Sequence, residues 1–150
     1  MKKLFAALAA GSLMALSCVA HATVPAAQIS LGGVAPGASV DSVKQAYGEP
    51  SYSHDRETLT FSGGLVVKVD DNRPGVVEEV LVRSGGISTP AGVSVGMGAD
   101  RLNGAYGAAD KVDSERDETE YVYYSDDRTK QLEFEVRNGV IVKISCELKD

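Results

Sequence analysis

The sequence is short of the residues that most site chemistry needs. It has two cysteines and two histidines in 150 residues, and one of each lies within the first 22. Cys146 and His54 are the ones left in the remainder. A lone cysteine closes no internal disulfide, the usual staple of small exported domains, so packing must hold the chain together. One cysteine and one histidine also fall short of the four ligands of a structural zinc site. Neither a metal nor a cofactor is expected. Basic residues are scarce as well: 15 Lys and Arg stand against 21 Asp and Glu, a formal charge of −6. An acidic chain without a basic stripe suits neither nucleic acid nor an anionic membrane surface. Beyond the amino terminus, no apolar run is long enough to span a bilayer, which takes about 20 residues.

What is present begins with an export signal. Met1-Lys2-Lys3 precedes an apolar stretch from Leu4 to Leu16 and then Ala20-His21-Ala22. A basic start, a dozen apolar residues and small residues at −3 and −1 predict a cut between Ala22 and Thr23. Cys18 marks a second route, because Ala15-Leu16-Ser17-Cys18 resembles a lipoprotein box. Such boxes place Leu three residues before the Cys, where this chain has Ala15, so cleavage after Ala22 is the better reading. The cut leaves 128 residues with 13 basic and 21 acidic side chains, a formal charge of −8. That length makes one domain, able to bury about two thirds of its chain surface.

Within that domain the same string occurs twice. Gly37-Ala-Ser-Val-Asp-Ser-Val-Lys-Gln-Ala-Tyr-Gly48 aligns with Gly96-Met-Gly-Ala-Asp-Arg-Leu-Asn-Gly-Ala-Tyr-Gly107. Leu65–Val69 aligns with Leu132–Val136, and Gly75–Val82 with Gly139–Cys146. The kept order predicts two repeat units, 23–86 and 87–150, after a signal at 1–22. Each unit reads as a short helix followed by three strands. Ser39 caps the first helix, Val40, Val43 and Tyr47 line one face, Gly48 stops it and Pro50 keeps it from resuming. The second helix is weaker, with Gly98 at the cap and Gly104 inside.

In the second unit Leu132, Phe134 and Val136 alternate with Glu133, Glu135 and Arg137, the mark of a half-wet strand. Asn138-Gly139 signals a hairpin. Val140, Val142 and Ile144 read as one face of the last strand and Ile141, Lys143 and Ser145 as the other; Cys146 is expected on the buried face. A three-stranded meander with one helix is too thin to hold a core. Two side by side predict an α+β fold: a two-layer sandwich with a six-stranded antiparallel sheet and both helices on one face.

The residues Gly37, Ser39, Val43, Tyr47, Gly48 and Pro50, then Gly96, Leu102, Tyr106 and Gly107, carry a resemblance. A Gly-x-Ser helix start running into Tyr-Gly-x-Pro and three strands resembles the small outer-membrane lipoproteins (SmpA/OmlA, BamE-like). It also resembles the tandem-duplicated β-lactamase-inhibitor-protein fold. The second unit departs from the pattern at Gly98 and at Ala109, where Pro would stand. The resemblance implies an envelope or extracellular protein that binds other proteins, and it brings no catalytic residues.

Chemistry is sparse. Gly92-Val-Ser-Val-Gly96 matches the G-x-S-x-G elbow of hydrolases, but an elbow needs a parallel sheet and a later histidine. His54 precedes Ser94, so a strand edge leading into a helix is the better reading, and His54 itself reads as a solvated loop residue. Cys146 aligns with Val82 and reads as a packed thiol. The run Asp113–Glu120 lacks calcium-loop spacing and reads as a solvated acidic loop. Two features read as protein-binding surface: Tyr121, Tyr123 and Tyr124, since tyrosine is enriched at interfaces, and the acids Asp70 and Asp71 on a hairpin. The expected function is non-enzymatic protein binding in the periplasm or outside the cell, by a monomer with no transmembrane segment. Inhibition of a secreted or periplasmic enzyme is the first alternative and a minor hydrolase the second.

Overall fold

The computed structural model describes residues 23–53 and 57–149. The predicted signal segment, with Cys18 and Ala22, lies outside the described residues, and so does His54. Helix α1 (Val40–Tyr47) is capped as expected: the Ser39 hydroxyl oxygen accepts the Ser42 N–H at 3.1 Å. Gly48 then takes φ +80° with ψ −170°, a combination open to glycine alone, and turns the chain back. Four strands follow, β1 (Tyr52–Ser53), β2 (Thr58–Thr60), β3 (Val66–Val69) and β4 (Val77–Val82). Helix α2 (Asp100–Tyr106) starts at Ala99 with no side-chain cap and ends at Gly107 with φ +74°. Four more strands come after it, β5 (Lys111–Glu115), β6 (Glu118–Tyr124), β7 (Lys130–Arg137) and β8 (Val140–Leu148).

The sheet therefore has eight strands, in the order β1-β2-β3-β4-β8-β7-β6-β5, and every neighbouring pair is antiparallel. The expected pair of three-stranded meanders and six-stranded sheet are incorrect. Each helix is followed by four strands and not three, and the sequence pattern announces neither β1 nor β5. β1 has two residues among those described. Lys111-Val-Asp-Ser-Glu115 has no apolar alternation to announce a strand, yet it pairs with β6 residue for residue through a turn at Arg116-Asp117. The acidic run from Asp113 to Glu120 is thus a hairpin and not a loop.

The two halves meet at β4 and β8. Leu81 faces Ser145, with Val80 opposite Cys146 and Val82 opposite Ile144 on either side. Local contacts recur across that junction. The Gly37 N–H donates to Val77 O at 2.7 Å and the Gly96 N–H to Ile141 O at 2.8 Å. Ser39 bridges Val76, and Gly98 bridges Val140. Register shifts fall at Lys68/Val69 and at Glu135/Val136. These shifts correct the expected alternation in β8: Ile141 is fully buried, whereas Val140 is 41% exposed. A bulge adds one residue and reverses which face each earlier side chain takes. In β4 the extra residue is Glu78, exposed between the buried Val77 and Glu79.

One face of the sheet is covered. Val67, Val80, Val82, Leu132, Phe134, Ile144 and Cys146 pack there under Val43, Leu102 and Tyr106 of the helices. Ile29, Leu31, Thr89 and Val93, from the segments that lead into the helices, are buried as well. The other face has no second layer among the described residues.

Candidate binding face

The uncovered face is built by the alternate residues that the pleat turns away from the helices. Across β3, β4, β8 and β7, one row reads Lys68, Glu79, Glu147, Gln131. The next reads Val66, Leu81, Ser145, Glu133, Val122, Lys111. A third reads Lys143, Glu135, Glu120, Asp113. Leu81 and Val122 lie outside the core cluster yet are only 9% and 3% exposed. The long side chains of the flanking rows account for this, since charged residues lay their aliphatic stems over apolar neighbours.

Carboxylates exceed cations on this face. Glu79 is paired with Lys68, Glu135 with Lys143 at 2.8 Å, Asp113 with Lys111 at 2.5 Å and Glu118 with Arg137 at 2.5 Å. Glu120, Glu133 and Glu147 have no cation at salt-bridge distance among the described residues. Gln131 serves two of them, its Nε2 donating to Glu133 Oε1 at 2.7 Å and to Glu147 Oε1. Glu79 stands directly opposite Glu147, and Glu120 opposite Glu135, arrangements that are destabilising between like charges. Burial, with Glu147 and Glu120 close by, pushes the Glu133 carboxyl up to about 7. Burial and then Glu79 raise Glu147 in the same direction. At the β5–β6 end a groove of about 430 Å³ is lined by Asp113, Ser114, Glu115, Glu118 and Glu120. Among the described residues no group of three His, Cys, Asp or Glu is placed to hold a metal ion.

The residues singled out from sequence are dispersed. Tyr123 is 1% exposed, tilted against Tyr106 and edge-on to Phe134, with its hydroxyl donating to Gly107 O at 3.4 Å. It is core and offers no surface. Tyr121 packs half-buried against the same cluster. Tyr124 lies on the open face with Arg128 and Lys149 each 5.2 Å from its ring centroid. Asp70 is buried in its own turn, accepting the N–H groups of Asn72 and Arg73 and the Arg73 guanidinium, which holds its carboxyl below the usual range. Asp71 beside it is exposed. Tyr47 and Tyr106 both pin a helix end to the segment before it, Tyr47 through Gly32 O at 2.7 Å and Tyr106 through Thr89 Oγ1 at 2.6 Å.

Pro50, past the Gly48 stop, is half-buried. Cys146 is fully buried, and burial pushes its thiol up. Ser94 sits in a short antiparallel bridge with Ser88, away from any parallel strand-to-helix junction among the described residues. The acidic rows were missed because Glu133 and Glu135 read simply as the wet side of a strand. Their half-burial depends on β4 and β8 pairing across the chain.

No model of a known protein family matches the chain, and no curated protein matches it either. Among solved structures, a DUF4309 family protein (YjgB) from Bacillus subtilis subsp. subtilis str. 168 is similar, with a TM-score of 0.51 and 18% identity. The match covers 75% of this chain and 79% of that one, a likeness of fold. An extracellular protein containing a SCP domain from Bacillus anthracis str. Ames matches at a TM-score of 0.45 and 10% identity, over 99% of this chain and 50% of that one. No helix among the described residues is long and apolar enough to cross a membrane.

Proposed function

We propose that this chain is an exported, non-enzymatic protein-binding module and that the open, acidic face of its sheet receives the partner. The observation that carries the reading is the row Glu79, Glu147, Gln131 with Glu133 and Glu120 beside it. Glu79 has Lys68, but Glu120, Glu133 and Glu147 have lost part of their hydration without gaining a cation at salt-bridge distance among the described residues. Half-desolvated charges of one sign on a sheet face regain that energy when complementary charge docks. The partner is accordingly a protein presenting Lys and Arg side chains. The Lys2-Lys3 start, apolar stretch and Ala20-His21-Ala22 site support export to the periplasm or outside the cell. Cleavage after Ala22 would leave Val24 in place, buried and bridged to Ser125. The resemblance to envelope lipoproteins and to inhibitor proteins, which act through protein contacts, supports the same class. Nothing in the geometry advances the inhibitor reading over a scaffold, because the Asp70 carboxylate is occupied within its own turn.

The test uses the exported chain as bait on the producing cell's own envelope and secreted fractions, beside a Glu120→Lys, Glu147→Lys variant. A protein held by the wild type at low salt and lost by the variant supports the proposal. Capture of the same proteins by both would place binding elsewhere.

A further inference from the structure

The outer edge of β5 is where the sheet is least complete. All five of its residues are exposed. Val82, Ile144, Phe134, Tyr121 and Val112 stand opposite one another across β4, β8, β7, β6 and β5. The first three are buried and Tyr121 is half-buried, but Val112 is 52% exposed. The apolar row of the core thus runs off the sheet at Val112. On the other face Lys111 and Asp113 flank it as an ion pair at 2.5 Å.

We propose that β5 pairs antiparallel with β5 of a second copy of this chain, about a two-fold axis through Val112. In this register Val112 faces Val112 of the second copy. Lys111 faces the second copy's Asp113, and Asp113 faces its Lys111. An edge strand directs the N–H and C=O groups of alternate residues outward, and these accept the same ladder from another strand. The charges select the register. Moving the axis by one residue sets either Asp113 against Asp113 or Lys111 against Lys111, and like charges directly opposite are unfavourable. The contact is isologous, so it closes at two copies and joins the two acidic faces into one sixteen-stranded sheet. Five residues a side is well below a standard interface, so the dimer is weak and visible only at high concentration.

Analytical ultracentrifugation of the chain purified after export, from about 10 μM to 1 mM, should show mass rising from one chain toward two. Lys111→Asp should weaken dimerisation by at least about fivefold, and Lys111→Asp with Asp113→Lys should restore it to within about twofold. Val112→Cys should give a disulfide-linked dimer on oxidation, since the new thiols face each other. All three positions are exposed, and far-UV circular dichroism confirms that the variants fold. A wild type that stays one chain at about 1 mM overturns the proposal. Equal dimerisation by the single and double charge variants would overturn it too, as would a Val112→Cys chain that dimerises without cross-linking.

Discussion

The Tyr106 hydroxyl donates a 2.6 Å hydrogen bond to Thr89 Oγ1, and both side chains are buried beneath the sheet. Thr89 lies 17 residues earlier and also accepts the Val93 N–H, so one tyrosine locks the end of α2 to the segment that leads into it. Tyr106→Phe keeps the ring against Tyr123 and Phe134 and loses the bond, at a cost of about 1 kcal/mol. Tyr106→Ala also opens a cavity and should cost about 3–5 kcal/mol. Tyr47, its counterpart on α1, is half-buried, and Tyr47→Ala should cost clearly less. Urea denaturation of the three variants checks the order; equal losses for the two alanine variants would contradict it.

The pH dependence follows from Glu133. Its folded-state value of about 7 lies above the ordinary 4.5, so the folded chain binds the proton more tightly than the unfolded one. The associated stability is full below about pH 4.5 and is lost as pH rises through about 7. Unfolding free energy should therefore fall between about pH 5 and pH 8, by about 1–2 kcal/mol once solvent screening of a half-exposed group is allowed for. Glu147 adds to the same slope. Asp127, held down to about 2 by hydrogen bonds from Ser125 and Thr129, acts at far lower pH and does not mask the effect. Glu133→Gln should flatten the profile measured by urea unfolding; a slope unchanged in that variant refutes the assignment.

Cys146 faces Val80 on one side and Leu132 on the other, with no exposed surface. Cys146→Val should change stability by less than about 1.5 kcal/mol and leave the fold intact. Native-state labelling by a thiol reagent should be far slower than in urea. Rapid labelling of the folded chain would show that the last strand is not packed as described.

These features differ in how legible they were. The α1 cap at Ser39, the glycine stops and the β7–β8 hairpin rest on local chemistry, and local chemistry is written in consecutive residues. The face taken by Val140 and Ile141 was misread because a bulge between Glu135 and Val136 shifts register, and no single residue type announces that shift. β5 went unseen because Lys111-Val-Asp-Ser-Glu115 becomes a strand only by pairing with β6. The acidic face was illegible for a related reason. Glu79 and Glu147 are far apart in the chain and meet only once β4 finds β8.

Two glycines should respond in opposite ways to the same added methyl group. Gly104 lies inside α2, and a Cβ there would meet nothing within 4 Å. Alanine lowers the entropy of the unfolded chain and fits the helix, so Gly104→Ala should stabilise by about 0.5–1 kcal/mol. Gly32 has φ +56°, and a Cβ there would fall on the Tyr47 hydroxyl, which holds the Gly32 carbonyl. Gly32→Ala must strain the backbone and push the ring aside, breaking the bond that ties α1 to its leading segment. A loss of about 2 kcal/mol or more is expected. Combining Gly32→Ala with Tyr47→Phe removes the clashing oxygen and should recover part of that loss, which thermal or urea unfolding will register. If the double variant is no more stable than Gly32→Ala alone, the cost lies in the backbone conformation and not in the contact with Tyr47.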